Sequence, residues 1–144
     1  MKKLKLLVLF TFILGIQYQA FSQCRNFTKR NCLEELTPYI SNGQLNAATM
    51  VAGEQAEINL NFHKNLSYRL IICADSYFEG LKYQLVDETG TIFTEDTLKG
   101  LSSITDIEVS ESSNLKLLIE TPKRESTTGI VRNGCVSILI GFKE

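Results

Sequence analysis

In Glu57-Ile58-Asn59-Leu60-Asn61-Phe62, polar and apolar side chains alternate without a break. Successive side chains of an extended chain point to opposite sides, so a period of two puts Ile58, Leu60 and Phe62 on one buried face and the polar residues on the other. A helix would scatter the same residues around its axis. Working outward, a weaker strand is expected over 45–51, reached across the turn Ala52-Gly53-Glu54. Further strands are expected over 68–74, 81–86, 91–94, 104–109, 115–120 and 135–142, with Asp87-Glu88-Thr89-Gly90 as a hairpin loop. Strands at this spacing, with no helix between them, predict a mainly β chain folded as an antiparallel β-sandwich of about seven to eight strands.

Two of these strands lack a polar face. In 68–73, Tyr68, Leu70 and Ile72 share one side, while Ile71 and Cys73 share the other. In 135–140, Val136, Ile138 and Ile140 oppose Cys135 and Leu139. Something must cover the second face. The available cover is a short N-terminal helix packed on the sheet, expected over 28–36, with Asn26 or Thr28 as its cap and Leu33, Leu36 and Ile40 as its apolar contacts. Pro38 disfavours helical geometry at Thr37, so the helix should stop there, and the chain should then turn at Asn42-Gly43.

The first residues form a different kind of segment. Lys2, Lys3 and Lys5 precede an uncharged apolar run over 6–16, followed by Ala20-Phe21-Ser22. The run has 11 residues, against the roughly 20 that a membrane-spanning helix needs. This is the pattern of a secretory signal, expected over 1–22, with a cut after Ser22 that leaves one domain over 23–144 and no membrane span. Gln23 before Cys24 argues against lipidation of that cysteine. The expected destination is the periplasm or the extracellular space, where cysteines form disulfides.

Four cysteines are present, Cys24, Cys32, Cys73 and Cys135, and four allow three connectivities. With 28–36 helical, Cys24 and Cys32 would stand on the order of 10 Å apart at 1.5 Å of rise per residue, while a disulfide needs Cα atoms within about 7 Å. Each N-terminal cysteine is therefore expected to reach a strand cysteine, Cys73 or Cys135. The alternative pairs Cys24 with Cys32 and Cys73 with Cys135.

Residues 23–144 carry 12 basic and 16 acidic side chains, a balance of −4. Nucleic acid is a poor partner for such a chain, because gripping phosphates takes clustered Lys and Arg. The nearest approach to a cluster is Lys123-Arg124, in a loop.

The order from Gly53 onward is a Gly-Glu turn, the alternating strand, Tyr68-Arg69-Leu70-Ile71-Ile72-Cys73, Tyr83-Gln84-Leu85-Val86-Asp87 with Gly90, Leu115-Lys116-Leu117, and Gly134-Cys135-Val136. It resembles the β-sandwich modules of the pre-peptidase C-terminal type that are appended to secreted bacterial peptidases. The whole layout, with Cys24, Cys32, Pro38-Tyr39 and Asn42-Gly43-Gln44-Leu45-Asn46, is similar to a family of small exported gram-negative proteins of uncharacterised activity. The first likeness implies an accessory module over about 45–144, although no protease domain precedes it here. The second implies export and brings no known activity.

Catalytic signatures are sparse. His63 is the only histidine, at a strand end beside Lys64 and Asn65, with no Gly-x-Ser-x-Gly elbow elsewhere. The cysteines lack the paired short spacing of a zinc site, and Asp87-Glu88 and Glu95-Asp96 lack the alternation of a calcium loop. There is no Trp, and Tyr39, Tyr68, Tyr77 and Tyr83 are the remaining tyrosines, which weakens glycosidase and carbohydrate-binding readings. Neither phosphate-cradling glycine motif occurs. Asn26-Phe27-Thr28, Asn65-Leu66-Ser67 and Asp96-Thr97-Leu98 match short glycosylation acceptor patterns and read as chance matches.

The expectation is an exported, non-catalytic module with no cofactor and no metal, binding a protein or cell-envelope component. The alternative is a small periplasmic hydrolase or an enzyme-inhibitory protein. Loops over 74–80, 95–103 and 121–132 are the expected recognition sites, with Tyr77 and Phe78 as candidate anchors, although packing of either ring under its loop is the better reading.

Overall fold

The computed structural model describes residues 19–125, 129 and 131–144. Helix α1 (Gln19–Asn31) and a 3₁₀ turn (Leu33–Leu36) precede eight strands: β1 (Ile40–Val51), β2 (Gln55–Phe62), β3 (Leu66–Ala74), β4 (Lys82–Val86), β5 (Ile92–Thr97), β6 (Ser102–Val109), β7 (Ser113–Glu120) and β8 (Asn133–Lys143). A second 3₁₀ turn (Ser76–Phe78) joins β3 to β4. The strands form two four-stranded antiparallel sheets in the orders β1-β8-β3-β6 and β2-β7-β4-β5, hereafter sheets A and B. The architecture is the β-sandwich that the alternating pattern predicts.

The main core lies between the sheets. Sheet A contributes Tyr68, Leu70, Ile72, Ile107, Val136, Ile138 and Ile140, and sheet B contributes Leu60, Phe62, Tyr83, Leu85, Leu115, Leu117 and Ile119. Phe62 and Tyr68 meet edge to face with ring centroids 4.9 Å apart. The buried Tyr83 hydroxyl crosses between the sheets, lying 2.9 Å from Ser103 Oγ and 3.0 Å from Thr105 Oγ1, so its polar tip is satisfied.

A second, smaller core covers the other face of sheet A. It contains Cys32, Leu36, Tyr39, Ile71, Cys73 and Leu139, with Phe27 and Leu45 against its edge. The apolar second faces of β3 and β8 are thus covered by the N-terminal segment, as expected, but three details differ. The α-helix runs over Gln19–Asn31 and only a 3₁₀ turn follows it. Thr28 sits inside the helix as a buried residue whose hydroxyl donates to Cys24 O at 2.8 Å. Leu36 is buried, whereas Leu33 and Ile40 are 41% and 65% exposed and Tyr39 takes their place.

The turn expected at Asn42-Gly43 is a bulge within β1, where the pairing to β8 slips between Ser41 and Leu45. Asn42 Oδ1 accepts from Gln44 N at 2.9 Å, and Gly43 takes φ +79°, a left-handed value that glycine adopts at little cost. Asn-Gly signals a left-handed backbone. Here that backbone serves the bulge and not a chain reversal. The apolar run over 6–16, read as a secretory signal, lies outside the described residues, and the expected cut after Ser22 falls within α1. No helix among the described residues is long and apolar enough to cross a membrane.

Candidate functional site

Two disulfides hold the N-terminal segment to sheet A. Cys24 of α1 bonds Cys135 of β8, and Cys32 bonds Cys73 of β3, with Cα separations of 5.2 and 6.4 Å. Each N-terminal cysteine reaches a strand cysteine, and none of the four is left to ligate a metal. Between the bridges, the buried hydroxyls of Thr28 and Ser137 hydrogen-bond. Beyond them, Arg69 of β3 forks onto both carboxylate oxygens of Asp106 at 2.8 Å and donates to the backbone carbonyls of Glu35 and Thr37. Its guanidinium lies 4.5 Å from the Tyr39 ring centroid, and Lys143 Nζ approaches the same ring at 4.7 Å. The hydrogen bonds from Arg69 hold the Asp106 carboxyl below its ordinary value, against a smaller opposing effect of burial. Sheet A is therefore occupied on both faces.

Among the described residues, nothing covers the outer face of sheet B. Register aligns its polar side chains in rows across all four strands: Glu57, Leu118, Gln84 and Glu95 in one, and Gln55, Glu120, Lys82 and Thr97 in the next. A hollow of about 740 Å³ lies over these rows. A second hollow of about 700 Å³ continues along the same face over Asn59, Asn61, Asn114 and Lys116, sharing Glu57 and Leu118 with the first. Lys116 Nζ lies 3.5 Å from Glu57, and Gln84 Nε2 donates to Glu95 at 3.0 Å. The face thus offers amide donors and acceptors, both signs of charge and the apolar side chains of Leu118 and Val86. The polar residues among these occupy outward positions of their strands, so the sequence pattern marks them as exposed without marking them as a site, and Leu118, within an apolar run, is not marked at all.

The loop residues read as anchors fall elsewhere. Asp75 Oδ1 caps the Ser76–Phe78 turn by accepting from Tyr77 N at 3.0 Å. The turn drives Phe78 into the main core, fully buried, where a Cβ added to Gly134 would come within 2.9 Å of its ring. Phe78 is therefore a core residue and not an interface anchor. Tyr77 is half-buried against it, the ring centroids 5.3 Å apart. Of the other loops, part of 121–132 lies outside the described residues.

His63 is exposed at the end of β2 and borders a hollow of about 790 Å³ together with Asp87, Glu88 and Ser112. Those groups are engaged with other partners. Asp87 Oδ1 accepts from Thr89 Oγ1 at 2.7 Å and from Thr89 N and Thr91 N at 2.8 Å, and the Thr89 hydroxyl, foremost among these, pulls its carboxyl below the ordinary range. Ser112 Oγ accepts from Lys64 N at 3.0 Å, and Glu88 faces the Asn114 amide at 3.4 Å. The imidazole makes no hydrogen bond or ion pair among the described residues; only the His63 main-chain N–H is engaged, donating to Tyr68 Oη at 2.9 Å. A nucleophile, base and orienting acid linked in series, as acyl transfer requires, are not assembled there. Thr97, the acceptor of the short glycosylation pattern, is half-buried at the end of β5 beside the buried Leu98.

These features define a disulfide-stapled, all-antiparallel β-sandwich with one face covered and one face open. No protein-family model matches the chain, and no curated protein matches it. Among solved structures, it is similar to the VP2 subviral particle of infectious bursal disease virus, at a TM-score of 0.39 and 15% identity over 69% of the chain. The match spans 32% of that viral chain.

Proposed function

We propose that the protein is an exported, non-catalytic binding module that presents the outer face of sheet B to a protein or another cell-envelope component, in the periplasm or outside the cell. The observation that carries this reading is the asymmetry of the sandwich. Sheet A is closed by a segment that two disulfides and the Arg69 hub hold in place, while sheet B is left hollowed, polar and rigidly framed. Two disulfides in a chain of this size also speak for an oxidising compartment. The likeness in strand and turn order to modules appended to secreted peptidases fits an accessory, binding role.

Site-specific photocrosslinking in exporting cells tests it. A crosslinking side chain at Gln84 or Leu118 is expected to trap one discrete adduct, and the same probe at the exposed Glu108 of β6 is expected to trap none. No adduct at either hollow position, or the same adduct from Glu108, would overturn the reading.

A further inference from the structure

Charge is segregated over this molecule. Helix α1, strand β1 and strand β8 are adjacent, through the β1–β8 pairing and the Cys24–Cys135 bridge, and together they contain no Asp or Glu. All 16 acidic residues of the chain lie outside these three elements. Helix α1 carries Arg25, Lys29 and Arg30, all exposed, and none makes an ion pair among the described residues. The rest of 23–144 holds 9 basic against 16 acidic side chains.

The three cations are rigidly mounted. Cys24 and Thr28 turn inward, one bonded to Cys135 and the other hydrogen-bonded to Ser137, so at 3.6 residues per turn Arg25, Lys29 and Arg30 spread over the outward side of the helix. The exposed residues of 23–31 are Gln23, Arg25, Asn26, Lys29, Arg30 and Asn31, with no apolar side chain among them. Interfaces between proteins are built around buried apolar or aromatic anchors, and the exposed side chains described over 23–31 include none. Basic side chains near an anionic bilayer gain energy with no need for shape complementarity.

We propose that the α1 face docks electrostatically on an anionic lipid surface. Because α1 lies over sheet A, this docking would turn the open face of sheet B away from the membrane, towards a partner. The inference is independent of what sheet B binds. Its failure would leave the crosslinking result at Gln84 untouched.

Sedimentation of the full chain with phosphatidylcholine vesicles, with and without phosphatidylglycerol, tests it. Binding is expected only to the phosphatidylglycerol vesicles. It should disappear as ionic strength rises from about 0.01 M to about 1 M, where the Debye length falls from about 30 Å to about 3 Å. Affinity should fall about fivefold for each cation removed, on the order of a hundredfold for the combined Arg25→Gln, Lys29→Gln and Arg30→Gln variant. Lys82→Gln with Lys116→Gln, on the opposite face, should bind as the parent does. Equal binding to both vesicle types, no binding to either, or a triple variant that binds like the parent would overturn the proposal.

Discussion

Gly141→Ala probes the contact between the N-terminal segment and sheet A with a single carbon atom. Gly141 is buried in β8, opposite Arg69 of β3 and Ser41 of β1. A Cβ there would stand 2.8 Å from Leu36 Cδ1, 2.8 Å from Tyr39 Cβ and 3.0 Å from Leu36 Cγ. Neither neighbour can yield easily, because Leu36 is buried and Tyr39 is wedged between Arg69 and Lys143. Overpacking of this kind costs about 1–3 kcal/mol, while Ala regains about 0.5–1 kcal/mol over Gly within a strand. With two contacts at 2.8 Å the upper part of that overpacking range applies, about 2–3 kcal/mol, so the net is a destabilisation of about 1–2.5 kcal/mol, equivalent to a fall in Tm of about 4–10 °C for a chain of this length. Urea unfolding should show a lower midpoint at unchanged m. In a Leu36→Ala background the two Leu36 contacts disappear while the contact with Tyr39 Cβ remains, so the same substitution should cost less there than in the parent without becoming free. A Gly141→Ala variant as stable as the parent, or one whose cost is the same in both backgrounds, would refute the placement of Leu36 and Tyr39 over β8.

Paired Cys→Ala substitutions should separate the two staples: losing Cys32–Cys73, with its sequence separation of 41, should cost about 4 kcal/mol, and losing Cys24–Cys135, separated by 111, about 5 kcal/mol, both read from urea midpoints. Thr28→Val leaves the buried Ser137 hydroxyl without its partner and should lower stability by about 1–3 kcal/mol, and adding Ser137→Ala should recover part of that loss. The folded-state pKa of Asp106 is depressed, so the stability it contributes is present above the ordinary value of 3.8 and is lost as pH falls below it towards the folded-state value. Asp106→Asn should therefore flatten the acid limb of the stability curve below about pH 4, and an unchanged limb would remove Asp106 from the account.

Strict alternation carries most of this fold, because a period of two survives whatever packs on the strand. The expected strands over 57–62, 68–74 and 115–120 match β2, β3 and β7 to within two residues at each end. The apolar second faces of β3 and β8 also report a cover, since unpaired Ile71 and Leu139 would otherwise face water. What the pattern does not convey is the identity of that cover. Thr28 reads as a cap because hydroxyls favour helix starts, yet a partner 109 residues away buries it in mid-helix. Asn42-Gly43 reads as a turn because a bulge and a turn need the same left-handed glycine. Two aromatics in a polar loop leave anchor and core packing both open, and the close approach of Gly134 that receives the Phe78 ring is not written in the local sequence. The open face of sheet B is hidden for a related reason: polar outer positions look alike in a strand whether or not a second layer covers them.

The pairing of the cysteines decides whether the N-terminal segment is stapled to sheet A. Proteolysis of the unreduced protein followed by mass spectrometry of the linked peptides should recover Cys24 with Cys135 and Cys32 with Cys73, each linkage disappearing on reduction. Recovery of a peptide linking Cys24 to Cys32, with Cys73 bound to Cys135, would contradict it, since the N-terminal segment would then be unstapled and neither face of the sandwich would be distinguished from the other.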